Sequence, residues 1–329
     1  MTSYRNFGVV GGGAWGTALA QLLAADGAPV RLWAREAEVV DAINTEHRNP
    51  LFLAAIALSP SLTATADLAE MASLDALLIV VPVPYLRAVL ADLPPGDAPL
   101  IFCSKGMEAG SFAFPIDMAR DLAPLRPHAV LSGPTFAHEV AAGLPTAITV
   151  AADAEIAGTL AQALARPHFR PYVSTDMIGA EIGGAVKNIL AIACGIVDGA
   201  GLGLNARAAL ISRGFAEMTR FGLARGAQAE TLAGLAGLGD LVLTCTSSNS
   251  RNFALGQGLG RGETVETLMA DRRTVAEGAF SAPVVAAAAH ADGIDMPITD
   301  TVARLVAGEV RVTDAIQALL SRPLRPEGR

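Results

Sequence analysis

The chain of 329 residues is 52% hydrophobic and 17% charged, which is typical of a globular protein with a sizeable core and excludes general disorder. Its net charge of -8 and pI near 5.2 disfavour a nucleic-acid partner, and none is expected. No run of about 18 uncharged apolar residues occurs, so no membrane span is expected either. The length predicts two domains.

The three cysteines are Cys103, Cys194 and Cys245, an odd number at wide spacing. This usage favours free thiols and a cytoplasmic location over a disulfide framework. Neither the cysteines nor the five histidines fall at metal-ligand spacing, so no metal site is predicted. The N-terminus lacks the basic region and apolar core of a signal peptide.

The first predicted strand, Phe7–Val10, leads directly into the pattern Gly11-x-Gly13-x-x-Gly16, which opens the predicted helix Trp15–Ala25. Gly11 permits a tight turn, Gly13 lets a pyrophosphate approach the backbone, and Gly16 lets helix and strand pack closely. The helix N-terminus adds N–H groups and a positive dipole end. These features predict a dinucleotide site, although a glycine turn without a ligand is the alternative for this motif taken alone.

The second predicted strand, Val30–Trp33, leads to Arg35, about 20 residues past the glycines. NAD-selective folds usually have Asp or Glu here, on the ribose 2′-hydroxyl. An arginine suits a 2′-phosphate, so we expect NAD(P)H as the cofactor, with NADP(H) accepted through Arg35. The alternative is that Arg35 is only surface charge and the adenosine end is loosely held.

The rest of the first half continues the alternation of strands and helices. Further predicted strands are Ala76–Val81, Leu100–Cys103, Ala129–Leu131 and Ala147–Val150, and further helices are Glu36–Thr45 and Phe114–Leu122. This rhythm predicts an α/β, Rossmann-like, doubly wound and mostly parallel sheet. It stops near Thr175, and the Ala/Leu/Gly-rich sequence beyond predicts an all-helical C-terminal domain. The expected domains are a dinucleotide-binding domain, 1–177, and a helical substrate-binding domain, 178–329.

Lysine is almost absent, since 22 of the 24 basic residues are arginine and only Lys105 and Lys187 remain. Chance retention is one explanation. The other is that both positions need a compact ammonium that can lose its proton. Lys105 follows a strand and so lies at the carboxyl edge of the sheet, where ligands bind. Lys187 lies one turn after Gly183, and a helical glycine, which costs about 1 kcal/mol relative to alanine, indicates close approach of a backbone or a ligand.

Several motifs together resemble those of bacterial NAD(P)-dependent glycerol-3-phosphate dehydrogenase, from about Phe7 to Thr299. They are GGGAWGTALA, the SKG of Ser104–Gly106, SGPTFA at 132–137, GGAVKN at 183–188, NARAALISRG at 205–214 and GLGDLVLTCTSSNSRN at 237–252. The resemblance implies hydride transfer between NAD(P)H and dihydroxyacetone phosphate to give sn-glycerol 3-phosphate, a glycerophospholipid precursor. It also implies a homodimer whose substrate is a small phosphorylated triose.

The resemblance further implies roles for single residues. Lys187 matches the catalytic lysine and Asp240 its acidic partner, and both are also implied substrate contacts. Lys105 matches a residue that touches both cofactor and substrate. The other implied substrate contacts are Gly133, Thr135, Ser250, Arg251 and Asn252. The other implied cofactor contacts are Gly11, Gly13, Ala14, Trp15, Gly16, Arg35, Ala137, Arg251, Val275 and Glu277. Ala14 departs from the family, where Ser or Asn is frequent, so one side-chain contact to the pyrophosphate is missing.

Two other functions remain open from the sequence. One is a related dehydrogenase of the hydroxyacid or ketopantoate type, which would bind a carboxylate, whereas Ser250-Arg251-Asn252 favours a phosphate. The other is a non-catalytic NAD(P)-sensing protein, which would not need Lys105, Lys187 and Asp240 together. Asp240 could also be only a helix cap, and the sequence does not decide whether Arg207 and Arg213 are structural or interfacial.

Overall fold

The computed structural model describes residues 4–270 and 276–321, and the chain divides into two compact units. We call them the N-terminal unit and the helical unit. Their bounds are Met1–Lys105 with Ala113–Ala180 for the first, and Gly106–Phe112 with Glu181–Arg329 for the second.

The N-terminal unit is built on one sheet, which has eight strands among the described residues. The strands are β1 Phe7–Val10, β2 Val30–Trp33, β3 Leu62–Thr65, β4 Ala76–Ile79, β5 Leu100–Phe102, β6 His128–Ser132, β7 Thr146–Ala152 and β8 Phe169–Ser174. Their order across the sheet is β3-β2-β1-β4-β5-β6-β7-β8. All neighbours are parallel except β6 and β7. The predicted doubly wound, mostly parallel sheet is therefore confirmed.

The strand order reverses at β1. From β1 the chain proceeds outward to β2 and β3 on one side, and then returns to β4 on the other. The last residue of β1, Val10, is in register with Trp33 of β2 and Ile79 of β4. In sheets of this type, ligands bind outside the carboxyl ends of the strands at such a switch point. The fold therefore places the sequence that follows Val10 where a ligand is expected.

The sequence patterns predict six of the eight strands, with ends that differ by at most two residues. They do not predict β3 or β8, which are the two edge strands. β3 is a short LTAT segment, and β8 carries Arg170 and Pro171 near its centre. Proline cannot donate to a strand ladder and is confined to edges, so it removes the signal that a central strand would show.

Helices cover this sheet, and their sequences alternate with the strands. They are α1 Ala14–Ala24, α2 Ala37–Glu46, α3 Val83–Asp92, α4 Pro115–Leu122, α5 Ala137–Ala141 and α6 Ala154–Leu164, with a 3₁₀ turn at Leu68–Ser73. α1 is rich in Ala and Leu, which are strong helix formers, and it buries Leu19 and Leu23 in the core that contains Val9 and Leu32 of the sheet. This packing fixes the N-terminus of α1 directly after β1.

The helical unit contains no strand among its described residues, as predicted. Its helices are α7 Met177–Gly199, which begins just before the unit boundary, α8 Gly203–Ala224, α9 Ala229–Ala233, α10 Asp240–Cys245, α11 Arg251–Gly260, α12 Val265–Leu268, α13 Glu277–Ala291, α14 Pro297–Val306 and α15 Val312–Leu320. A π-helical turn, Leu235–Gly239, lies between α9 and α10.

α7 is the core helix of this unit. Its 23 residues have a hydropathy of 1.5 in their most apolar window, so by length and composition alone the helix could cross a membrane. Within the protein, however, 94% of that window is buried. A helix in the core of a globular protein has no solvent-facing side, so it is apolar all round. The burial of α7 therefore accounts for its apolar sequence.

Glycines let α7 and α11 approach closely. Gly195 and Gly199 lie one turn apart on α7, and Gly256 and Gly260 lie one turn apart on α11. A Cβ on Gly195 would collide with the carbonyl oxygen of Phe253, and a Cβ on Gly256 would collide with that of Ile192. The two backbones are therefore in direct contact, which no larger residue at these positions would allow.

Candidate active site

The glycine turn between β1 and α1 requires glycine at two positions. Gly11 has a φ of 128°, and a Cβ there would lie 2.7 Å from the carbonyl oxygen of Val80. A Cβ on Gly16 would collide with the carbonyl oxygen of Gly11, so α1 can lie this close to β1 only with glycine. These are the tight turn and the close packing that the sequence motif predicts.

Gly13 leaves open space at the start of α1. It is the N-cap residue of the helix, and a Cβ on it would meet nothing within 4 Å. Ala14 and Trp15 follow in the first turn, where backbone N–H groups have no intrahelical acceptor and the helix dipole is positive. An open and positively polarised cradle of this kind fits the pyrophosphate of a dinucleotide.

Arg35 follows β2, and its side chain is 74% exposed. Its guanidinium lies 3.1 Å from the Glu36 carboxylate and 5.9 Å from the centroid of the Tyr85 ring. Exposed ion pairs of this kind contribute about 0–1 kcal/mol, so Glu36 does not compete strongly with an anionic ligand for Arg35.

The other predicted ligand contacts of the N-terminal unit follow β5 and β6. Lys105 comes three residues after β5, and the neighbouring Ser104 hydroxyl donates a 2.6 Å hydrogen bond to the carbonyl of Val81. Gly133 and Thr135 follow β6, and Ala137 begins α5. Because β1, β2, β5 and β6 are parallel, all these residues lie at the same edge of the sheet as the glycine turn.

In the helical unit, the structure brings the predicted pair Lys187 and Asp240 together. The Lys187 ammonium donates to Asp240 Oδ1, and it also donates to Thr244 Oγ1 at 3.0 Å. All three side chains are buried, with exposed fractions of 6%, 0% and 3%. The Thr244 hydroxyl in turn donates to the backbone carbonyl of Asp240 at 2.7 Å. An ammonium and a carboxylate buried as a hydrogen-bonded pair hold each other in one geometry.

Thr244 is a site residue that sequence reasoning missed. The sequence places it only within the motif GLGDLVLTCTSSNSRN at 237–252, with no role of its own. The available signal was its position four residues after Asp240, which places both side chains on one face of a helix.

The position of Asp240 depends on Gly183. A Cβ on Gly183 would collide with the carbonyl oxygen of Ala236 in the π-helical turn. This is the close backbone approach that the helical glycine predicts. Gly183 and Lys187 lie one turn apart on α7, and Asp240 comes directly after the π-helical turn. The glycine therefore lets the turn approach α7 closely enough for Asp240 to reach Lys187.

Predicted substrate residues lie at the start of α11. Ser250 is the N-cap, and its hydroxyl accepts a 3.2 Å hydrogen bond from the Phe253 N–H. Arg251 is exposed, whereas Asn252 is buried and its Oδ1 accepts a 2.8 Å hydrogen bond from the Gly278 N–H. This bond joins the start of α11 to the start of α13.

Glu277 is the first residue of α13. Its Oε2 accepts a 3.5 Å hydrogen bond from Asn188, the residue after Lys187. The predicted cofactor contact Val275 lies outside the described residues. Within the helical unit, the structure therefore joins Lys187-Asn188, Ser250–Asn252 and Glu277 through neighbouring helices.

Arg207, whose role the sequence leaves open, has structural contacts. Its guanidinium lies 3.1 Å from the Asp198 carboxylate and 5.9 Å from the centroid of the Phe253 ring. It therefore ties the start of α8 to the end of α7 and to α11. Arg213 is exposed on α8.

The Cys245 thiol lies close enough to Lys187 and Asp240 to interact with their charges, and it is within hydrogen-bonding reach of Cys194. Burial raises the pKa of the Cys245 thiol well above its usual value, and the neighbouring Cys194 raises it further. All three cysteines are buried and free. Among residues 4–270 and 276–321, no cluster of His, Cys, Asp or Glu is placed to hold a metal ion.

A glycine turn at the switch point of a parallel sheet, together with a helical unit that carries a buried lysine–aspartate pair, defines a two-domain dinucleotide-dependent dehydrogenase. Residues 6–157 match the N-terminal region of NAD-dependent glycerol-3-phosphate dehydrogenase, and residues 176–317 match the C-terminal region. The chain therefore belongs to the NAD-dependent glycerol-3-phosphate dehydrogenase family.

Individual relatives agree over almost the whole chain. It is 88% identical to a glycerol-3-phosphate dehydrogenase [NAD(P)+] of Sphingopyxis alaskensis over 100% of both chains. It is 59% identical to the Novosphingobium aromaticivorans enzyme of the same name over 97% of each. The crystal structure of glycerol-3-phosphate dehydrogenase from Coxiella burnetii has a TM-score of 0.93 and 40% identity, covering 97% of this chain and 99% of that one.

These comparisons settle the function class. The chain is an oxidoreductase that uses NAD(P)H, as an NAD(P)-dependent glycerol-3-phosphate dehydrogenase. They support neither the hydroxyacid or ketopantoate alternative nor the non-catalytic one.

Proposed function

We propose that Lys187 is the general acid and base through which this enzyme interconverts dihydroxyacetone phosphate and sn-glycerol 3-phosphate. The observation that carries the proposal is the buried Lys187 ammonium, held by Asp240 and Thr244. A lysine can both donate and accept a proton, which suits a reaction that runs in both directions.

The cofactor, when bound, supplies or accepts the hydride at C2 of the substrate. In the direction of reduction, Lys187 as ammonium donates a proton to the oxygen on which negative charge develops. In oxidation, neutral Lys187 removes the hydroxyl proton instead. Asp240 and Thr244 orient Nζ, so that little reorganisation is needed when the proton moves.

The substrate phosphate is proposed to bind at the start of α11. Arg251 offers an exposed guanidinium, whose fork of donors matches a phosphate. Ser250 and Asn252 flank it, and the N-terminal end of this helix is positive. On the N-terminal unit, Lys105, Gly133 and Thr135 are the proposed substrate contacts, because they follow strands at the ligand-binding edge of the sheet.

The cofactor is proposed to bind with its pyrophosphate at the glycine turn and its adenosine near Arg35. The open cradle at Gly13 and the exposed Arg35 side chain support this placement. The remaining proposed contacts follow from the family resemblance; they are Gly11, Ala14, Trp15, Gly16, Lys105, Ala137, Arg251, Val275 and Glu277.

The decisive experiment follows NADPH oxidation by absorbance with dihydroxyacetone phosphate, unphosphorylated dihydroxyacetone and ketopantoate in parallel. We expect kcat/KM to be highest for the phosphorylated triose by a factor of about 100 or more. With the other two compounds, the groups that bind the phosphate lack their partner, and each lost hydrogen bond costs roughly 1–3 kcal/mol. Equal rates for all three compounds would refute the phosphate site.

We also propose that the enzyme is a cytoplasmic homodimer, as the family resemblance implies. The free, buried thiols are compatible with a reducing compartment. Light scattering coupled to size exclusion should give twice the chain mass of 33.7 kDa, and a single-chain mass would refute the dimer. Fractionation of cells that express a tagged chain would test the location.

A further inference from the structure

Asn49 is a fully buried polar residue that has no role in the catalysis or ligand binding proposed above. It lies in the segment between α2 and β3, and its exposed fraction is 0%. Its Nδ2 donates to the Gly12 carbonyl at 2.9 Å and to Thr17 Oγ1 at 2.8 Å. Its Oδ1 accepts a 3.2 Å hydrogen bond from the Phe52 N–H. Both protons of the amide and its oxygen therefore have partners.

Two of these partners belong to the glycine turn and to the helix that it opens. The Gly12 carbonyl lies in the middle of the turn, and Thr17 is in the first turns of α1. The Thr17 hydroxyl also lies 3.3 Å from the Gly12 carbonyl, and the Thr17 N–H donates to the Gly13 carbonyl at 2.9 Å. Asn49 and Thr17 thus hold one carbonyl, that of Gly12, from the interior of the protein.

The orientation of that carbonyl determines the orientation of the next N–H. The peptide bond between Gly12 and Gly13 is trans, and in a trans peptide the C=O and the following N–H point in opposite directions. With the Gly12 carbonyl held toward Asn49, the Gly13 N–H points away from Asn49. Glycines on both sides of the bond would otherwise let this peptide plane rotate with little resistance.

We propose that Asn49 is a positioning residue for the cofactor, because it fixes the Gly12–Gly13 peptide so that the Gly13 N–H is directed at the pyrophosphate. The proposal rests on the proposed placement of the pyrophosphate at the glycine turn. The preorganised turn binds the cofactor without first ordering a flexible peptide.

The test is Asn49→Asp, which keeps the shape of the side chain but replaces the donor to Gly12 with an oxygen. Two oxygens then face each other, and the peptide rotates or the carbonyl is left unsatisfied. Binding of NADPH, NADH and ADP-ribose is measured by calorimetry, without turnover. We expect each Kd to rise by about ten- to a hundredfold, and by a similar factor, because all three ligands share the pyrophosphate. Adenosine 2′-monophosphate, which lacks it, should bind as to the wild type.

Asn44→Asp is the matched control. Asn44 is in the same unit, with hydrogen bonds to the Ala64 carbonyl at 2.9 Å and from the Ala64 N–H at 2.8 Å, on β3 rather than on the glycine turn. Because Asn44 shares no hydrogen-bond partner with Asn49, its substitution should leave the Kd of all four ligands within about twofold. At saturating NADPH, the kcat of Asn49→Asp should remain close to that of the wild type, which a collapsed active site would not allow.

If Asn49→Asp does not fold, Thr17→Val provides the second variant, since it removes the hydroxyl that Asn49 bonds while it keeps the side-chain shape. It should raise the three pyrophosphate-dependent Kd values by about three- to tenfold. A folded Asn49→Asp or Thr17→Val protein with wild-type Kd values would overturn the inference. Failure of the wild type to bind ADP-ribose would instead refute the pyrophosphate placement.

Discussion

The carboxylate of Glu217 on α8 accepts a 2.7 Å hydrogen bond from the backbone N–H of Ile298, in the first turn of α14. The N–H and the hydroxyl of Thr299 each donate to the same carboxylate at 3.2 Å. The N-cap residue of α14, Met296, provides no side-chain acceptor. Glu217 therefore supplies the cap from a distant helix and joins α8 to α14.

This arrangement makes the stability of the protein depend on pH near neutrality. Burial raises the pKa of Glu217 to about 7, while the hydrogen bonds from Ile298 and Thr299 act in the opposite direction. Because the folded-state pKa lies above the unfolded value, the folded protein favours the protonated form of Glu217. The contribution of this protonation to the free energy of unfolding is complete below about pH 4.5 and is lost as the pH rises through about 7. The shift corresponds to about 3 kcal/mol.

We expect the free energy of unfolding of the wild type to fall by about 3 kcal/mol between about pH 4.5 and 8.5 relative to that of Glu217→Gln. Urea unfolding at a series of pH values measures this difference. The control, Glu266→Gln, changes an exposed residue on α12 and should retain the wild-type pH dependence. Parallel curves for the wild type and Glu217→Gln would contradict the prediction.

Lys187→Arg should lower kcat by about 10²–10⁴-fold, while NADPH still binds. Arginine keeps the positive charge but does not release a proton at working pH. Single-turnover measurements must show that hydride transfer itself has slowed. Lys105→Arg serves for comparison, since a lysine that acts only as a charge should lose affinity more than turnover. Retention of more than about a tenth of the normal kcat would remove Lys187 from the acid–base role.

Arg35→Asp should weaken NADPH binding by roughly 1.5–3 kcal/mol and change NADH binding little, because only NADPH carries the 2′-phosphate. Fluorescence titration of both cofactors measures the ratio. Arg170→Asp is a matched control, since Arg170 stacks over Tyr172 at 5.3 Å much as Arg35 stacks over Tyr85. An unchanged ratio of the two Kd values would show that Arg35 does not discriminate between the cofactors.

Arg251→Ala should raise KM for dihydroxyacetone phosphate strongly and also lower kcat, because binding energy at the phosphate positions the reacting carbon. Unphosphorylated dihydroxyacetone should be nearly indifferent to the change. Arg261→Ala, at the opposite end of α11, is the control and should leave both substrates unaffected. If Arg251→Ala lowers kcat/KM by the same factor for both substrates, the residue acts through the cofactor or the fold.

The sequence predicts the parts of this protein that depend on local pattern. The glycine turn, six strands and the close approach at Gly183 all follow from spacing and from the cost of helical glycine. The edge strand β8 does not, because Pro171 and Arg170 interrupt its pattern. The first compact unit ends at Ala180, and residues 106–112 belong to the second unit. No local sequence pattern predicts that these seven residues belong to the second unit.

The features that the sequence does not predict depend on contacts between segments that are distant in the chain. Asn49 reaches a turn more than 30 residues away, and only the fold shows that its amide meets the Gly12 carbonyl. Thr244 joins Lys187 because α10 follows a π-helical turn, whose hydrogen-bond pattern has no recognisable sequence signature here. In both cases the residue types indicate polarity, but the partner is set by packing.

The glycine contacts between α7 and α11 have a consequence for substrate size. If Lys187 on α7 is the proton donor and Arg251 at the start of α11 binds the phosphate, as proposed above, the spacing of the two helices sets the distance from the reacting oxygen to the phosphate. An alanine at Gly195 or Gly256 would separate the backbones and lengthen that distance. The spacing of the two helices thus limits the length of the substrate, and it is set by glycines that lie about two turns from Lys187 on α7 and less than two turns from Arg251 on α11. Redesign toward a longer phosphorylated ketone would start with those glycines and leave the polar residues in place.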